Sequence, residues 1–88
     1  REGDRTTVAT LQDVSFGTYV TVEGNIVAHL RSDYFTFRDA SGEMMVEIPS
    51  ERFGGQQVGP ETRVRLMGEV DRRAAGQRYI WVKSLTLM

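Results

Sequence analysis

The chain has 88 residues, enough for one domain and too few for two. Hydrophobic residues at 40% and charged residues at 26% exclude a disordered segment, and no apolar run approaches the ~20 residues of a membrane-spanning helix. The absence of cysteine excludes disulfides, thiolate zinc sites and cysteine nucleophiles, and a net charge of −1 lacks the basic excess of a generic nucleic-acid binder.

Lys83 is the only lysine, so ten of the eleven basic residues are arginine. Arginine suits bidentate contacts to carboxylate and phosphate, but a compositional bias explains the excess more simply. The sequence begins at Arg1 rather than methionine. We therefore expect an upstream segment to have been removed, by signal-peptide cleavage or at an artificial boundary.

In chain order, Arg1–Thr6 is polar and reads as a loose, flexible tail, leaving residues 7–88 as the single domain. Thr7 is placed to cap a short helix over Val8–Val14, where Val8, Leu11 and Val14 have roughly helical spacing. Ser15–Thr18 is a turn. Tyr19–Leu30 alternates, with Val20, Val22, Ile26, Ala28 and Leu30 on one face and Gly24 within that series. Arg31–Asp33 is a tight connection. Tyr34–Asp39 alternates again, with Phe35 and Phe37 inward. Asp39-Ala-Ser-Gly42 has the composition of a hairpin turn, and Met44, Val46 and Ile48 mark the inner face of a third strand that Pro49 ends. A helical turn around Ser50–Phe53 and the flexible pair Gly54-Gly55 follow.

Thr62–Asp71 is the fourth strand, with Val64, Leu66 and Val70 inward and Gly68 in its middle. Arg72–Gln77 is a hairpin loop. Arg78–Leu87 is the fifth strand, with Ile80 and Val82 inward. Leu85 and Leu87 break its parity, which predicts a bulge near Ser84. A glycine at the centre of a strand marks a bulge or a barrel corner. Five strands, two bent by Gly24 and Gly68, with a non-strand segment between the third and fourth, match an all-β five-stranded OB-fold barrel with a short N-terminal helix. Closure removes the exposed edges of so small a sheet.

The same segments carry a family resemblance. Val22-Glu-Gly-Asn-Ile-Val27, Tyr34–Gly42 (YFTFRDASG), Val46-Glu-Ile48, Gly68-Glu-Val-Asp71 and Ile80-Trp-Val-Lys83 resemble the bacterial OB-fold (BOF) family, from about Thr7 to Leu87. The resemblance implies an OB barrel exported to the periplasm through a cleaved signal peptide and linked to oxidative, metal or envelope stress. It also implies a barrel face without the usual nucleic-acid contacts, and binding of a cell-envelope component or small molecule.

No catalytic residue is expected. His29, the one histidine, lies on an outward strand face, and no Gly-x-Ser-x-Gly elbow is present. No metal site is expected either. Zinc sites draw on several Cys and His ligands, and Glu43 and Glu47 share a strand face roughly 13 Å apart, too far for one ion. The glycines of 53–59 lack the Gly-Lys-Ser/Thr ending of a phosphate loop and read as a flexible connection. No cofactor is called for.

The outward residues of the second and third strands are the candidate ligand face, where OB-folds bind. They are Tyr34, Thr36, Arg38, Met45 and Glu47, joined by Arg72 and Arg73 from the last loop and by Tyr79 and Trp81 on the fifth strand. Aromatic and arginine planes stack on bases or sugar rings, although tyrosine also fills pleated surfaces on its own account. An outward tryptophan exposes apolar area unless something covers it, either the N-terminal helix or a partner chain.

The leading expectation is a non-catalytic periplasmic module binding an envelope component or small ligand. A single-stranded nucleic-acid binder is disfavoured by charge. A protein-interaction module, as a homodimer burying Trp81, is the third expectation.

Overall fold

A computed structural model describes residues 4–88, as six strands and two short turns of 3-10 helix. The strands are β1 (Asp4–Arg5), β2 (Tyr19–Arg31), β3 (Tyr34–Asp39), β4 (Gly42–Glu47), β5 (Arg63–Arg72) and β6 (Arg78–Leu87). Neighbours run in the order β1-β2-β3-β4-β6-β5, and β2 pairs back onto β5 to close the sheet. β4 and β6 are parallel, as are β1 and β2; the other pairs are antiparallel. β2 to β6 are the five expected strands, and the barrel is closed.

Closure depends on β2 serving two partners. Its first half pairs with β5 and its second with β3, and Asn25 pairs with both Arg38 and Arg63. The Asn25 side-chain amide donates to the carbonyls of Pro60 and Thr62, each at 3.2 Å, which ties the corner to the loop before β5. Gly24 sits one residue earlier, where a Cβ would press against the Arg38 carbonyl and the Phe37 ring. At Gly68 a Cβ would meet the Trp81 carbonyl and the Ile80 side chain. Both glycines are required by close backbone approach at the corners.

The interior holds the residues that alternation placed there. Val22, Phe37, Val46, Ile48, Val64, Leu66, Val70, Ile80 and Val82 are fully buried, and Val8 and Leu11 join the same cluster. Two irregularities shift the outer half of β2: its register against β3 slips between Ile26 and Ala28, and again between His29 and Arg31. The first slip reverses parity, so Ala28 and Leu30, expected inward, are exposed. In β6 the bulge falls at Lys83, one residue before Ser84: Val82 faces Gly68 and Ser84 faces Met67. Leu85 thereby returns to Leu66 and packs against the core.

The N-terminal region differs from expectation in two ways. The helix over Val8–Val14 is only a 3-10 turn, Thr10–Asp13. Thr7 contributes to its start, its Oγ1 accepting from the Thr10 amide at 3.4 Å. Valine, threonine and aspartate dominate the segment, and residues of such low helix propensity do not sustain a longer helix. Asp4 and Arg5, expected in a loose tail, pair with Val20 and Thr21, and the Thr6 amide donates to the Thr21 carbonyl at 2.9 Å. The rest of that expected tail, residues 1–3, lies outside the described residues. Between β4 and β5, the turn Ser50–Phe53 ends at Gly54, whose φ of 59° is left-handed and suits glycine.

Candidate functional site

Register decides which outward side chains meet. Tyr34 faces Glu47, Thr36 faces Met45, Met45 faces Tyr79, and Glu47 faces Trp81. Strand alternation turns all of these away from the core, because their neighbours Phe37, Val46, Ile48, Ile80 and Val82 are fully buried. Tyr34 and Tyr79 meet edge to face at 6.3 Å between ring centroids.

Arg73 reaches this pair from the 73–77 loop. The loop is closed by an amide–carbonyl bond from Arg73 to Gln77 at 2.9 Å. The Arg73 guanidinium lies 4.7 Å from the Tyr34 ring centroid, and its Nη1 is 3.5 Å from the Met45 sulfur. Tyr34, Thr36, Met45, Arg73, Tyr79 and Trp81 therefore form one continuous surface across β3, β4 and β6.

Two of the expected residues stand apart. Arg38 forms an ion pair with Glu43 at the hairpin end, its Nε donating to Oε2 at 2.7 Å. Arg72 turns to the opposite side of the loop, 5.5 Å from the Phe16 ring. Arg78 covers the same ring at 4.4 Å and donates to the Val14 carbonyl at 2.7 Å. One arginine of the Arg72-Arg73 pair thus supports the aromatic surface and the other the turn after the 3-10 segment, since adjacent residues leave a strand end in opposite directions.

Trp81 is half-buried, and Lys83 covers part of its ring. The bulged Lys83 places its ammonium 3.8 Å from the indole centroid and 5.6 Å from the Tyr19 ring, a cation–π arrangement. Lys83 follows Trp81 by two residues, so strand alternation sets both on the outer face.

Glu69, Asp71, Tyr19 and Lys83 also border this surface, beyond the residues expected there. Glu69 faces Trp81 and Tyr19, and Asp71 faces Tyr79. The parity of the fourth strand, with Val64, Leu66 and Val70 inward, already turns Glu69 and Asp71 outward. Burial pushes the Tyr79 hydroxyl above the ordinary tyrosine range, reinforced by the carboxylates of Glu47 and Asp71 and more weakly by Tyr34 and Glu69.

A concavity of about 560 Å³ lies between the N-terminal segment and the β3–β4 turn, lined by Arg5, Thr6, Glu23, Asp39, Ser41 and Arg63. Its carboxylates are committed. Glu23 accepts from Arg65 Nε at 2.9 Å and stands 3.4 Å from Arg5. The Arg65 hydrogen bond outweighs desolvation and, with Arg5, holds its pKa low. Asp39 accepts from the Val8 amide at 2.9 Å and from the Ser41 amide and hydroxyl at 2.8 and 2.6 Å. Burial works to raise the Asp39 pKa, but the hydrogen bonds from Ser41, Val8 and Gly42 prevail and hold it low.

His29 stacks on Phe35 at 4.6 Å and its Nε2 is 2.7 Å from the Ser32 carbonyl. Among the described residues no group of three or more His, Cys, Asp or Glu side chains could hold a metal ion.

These features define a closed OB-type barrel with an aromatic outer face tipped by one arginine. The chain belongs to the bacterial OB-fold family, whose model, described as "Bacterial OB fold (BOF) protein", matches residues 1–86. It is 42% identical over 72 residues to the calcium-regulated OB-fold protein CarO of Pseudomonas aeruginosa, covering 82% of this chain and 62% of CarO. It is 40% identical over 70 residues to protein YgiW of Escherichia coli, covering 80% and 54%. The chain thus spans roughly half to three-fifths of these relatives. The solved structure of E. coli YgiW superposes with a TM-score of 0.91 at 36% identity, over 98% of this chain and 91% of that one. The Stn1–Ten1 complex of Schizosaccharomyces pombe superposes at 0.77 with 10% identity, over 99% and 77%, a likeness of fold alone.

Proposed function

We propose that the chain is a non-catalytic binding module of the periplasm that takes up a small ligand or envelope component on the outward face of β3, β4 and β6, in support of stress tolerance. The observation that carries this reading is the joined surface of Tyr34, Met45, Arg73, Tyr79 and Trp81. Its rings are half-buried and already held in place, so little side-chain freedom is lost when a flat or elongated ligand docks. The face coincides with the one OB-folds use for ligands. The compartment and the link to stress are what the family resemblance implies.

Nucleic acid is the weaker partner for this surface. Glu47, Glu69 and Asp71 surround its aromatic centre and oppose a phosphate backbone. A filter-binding assay with single-stranded DNA is expected to show no tight, salt-sensitive complex.

The direct test is an NMR titration with envelope glycan fragments and small metabolites at millimolar concentration. Shifts are expected at Tyr34, Met45, Arg73, Tyr79 and Trp81. Shifts confined to the 560 Å³ groove near Asp39, or no shifts with any ligand, remove this face as the binding site. Fractionation of cells producing the full-length protein tests the compartment, and a cytoplasmic pool would overturn it.

A further inference from the structure

Register strings five outward side chains into a row around the barrel: Tyr34 on β3, Glu47 on β4, Trp81 on β6, Glu69 on β5 and Tyr19 on β2. Aromatic and acid alternate along it. One step away, Asp71 faces Tyr79. Among the described residues, ion pairs engage only Glu23 and Glu43 of the acids, so Glu47, Glu69 and Asp71 face the row without a cationic partner. The cations that do approach sit on rings, Lys83 on Trp81 at 3.8 Å and Arg73 on Tyr34 at 4.7 Å. The chain's own ammonium group thus occupies the place an external one would take.

We propose that this row binds a linear polyamine, with an alkylammonium lying on Trp81 and Tyr79 and its charged ends toward Glu47 and Glu69. The assignment rests on the binding-face reading above and names the ligand class for it. Three observations select this class. Carboxylates beside aromatic faces suit ammonium groups and repel phosphate. Glu47 and Glu69 lie on the strands either side of Trp81, about 10 Å apart at the usual strand spacing, too far to share one metal ion but within the span of one flexible polycation. The rings between them are half-buried and present an apolar track for the methylene chain. The groove near Asp39 offers nothing comparable, because Glu23 and Asp39 are already satisfied.

Trp81 is the only tryptophan, so its fluorescence reads the site directly. Spermidine titrated into the protein at physiological ionic strength is expected to give a saturable change. Calcium chloride, and a diol of similar length, are expected to give none. Glu47→Gln and Glu69→Gln should each weaken binding about two- to fivefold, the range for one exposed cation–π or ion-pair contact. Lys83→Met, which removes the resident ammonium, should tighten it by a similar factor. A calcium response equal to that of spermidine, glutamine variants that bind like the parent, or a Lys83→Met variant that binds no better each overturns the assignment. Silence with spermidine alongside glycan shifts at Tyr34 and Tyr79 overturns the polyamine and leaves the binding face standing. Silence with both overturns both.

Discussion

The barrel carries two groups of acids on opposite terms. At the N-terminal groove, Glu23 and Asp39 are each held by two or more donors, and both are pulled below the ordinary carboxylate range. On the β4–β6–β5 face, Glu47, Glu69 and Asp71 have no ion-pair partner among the described residues. Their field is felt instead by Tyr79. Residues of one chemical type therefore do different work according to what surrounds them. The groove acids fasten a chain segment to the barrel. The face acids enter no ion pair among the described residues, although the Asp71 carboxylate accepts from the Arg72 amide at 2.7 Å.

The sharpest way to break this contrast is at Asp39. Its carboxylate joins the β3–β4 turn to Val8, and Val8 and Leu11 belong to the core. Asp39→Ala leaves the Val8 and Ser41 amides without their acceptor. It should lower stability by about 2 kcal/mol, the range for hydrogen bonds to a charged acceptor. Urea denaturation measures the loss, and hydrogen exchange should show the 4–14 segment opening ahead of the barrel. A loss below about 0.5 kcal/mol, typical of a neutral surface change, would mean that the groove acids do not fasten the segment.

Titration offers the next test, because the two groups act at opposite ends of the pH scale. The pKa values of Asp39 and Glu23 are lowered in the folded state. Their contribution is therefore present above the unfolded carboxylate values and is lost as pH falls through the folded ones. The pKa of Tyr79 is raised. Its contribution is present below the unfolded tyrosine value of about 10 and is lost as pH rises from there through the folded value. Thermal midpoints against pH should show an acid limb that Asp39→Asn flattens and an alkaline limb that Tyr79→Phe flattens. If each variant instead flattened the opposite limb, or neither, the division between the two regions would fail.

The two regions also differ in how far the sequence reveals them. Alternation is a local property, and it placed Val22, Phe37, Leu66 and Ile80 inside and Tyr34, Tyr79 and Trp81 outside. Gly24 and Gly68 marked the corners because nothing larger fits there. The departures came where position depends on partners distant in the chain. Ala28 and Leu30 lie beyond a slip in the β2–β3 register that alternation cannot foresee. Arg72 and Arg73 are adjacent in sequence, yet one lies over Phe16 and the other over Tyr34. The 3-10 turn took the place of a helix because residues of low helix propensity do not sustain a longer one, while burial in the core still holds Leu11. The alternating row of acids and rings was hidden for the same reason. Its members come from five strands, and only the pairings of β3 with β4, β4 with β6, β6 with β5 and β5 with β2 bring them into line.

The smallest effect is expected where the face acids are neutralised. Glu47→Gln and Glu69→Gln keep shape and remove a charge that has no ion-pair partner among the described residues. Neither breaks an ion pair, and both relieve repulsion among Glu47, Glu69 and Asp71. Stability should stay within about 0.5 kcal/mol of the parent, with any change toward greater stability at low salt, where repulsion is least screened. Urea midpoints in low and high salt decide this. A clear loss of stability at either position would mean that these carboxylates hold the barrel together after all, and the two groups of acids would then be one.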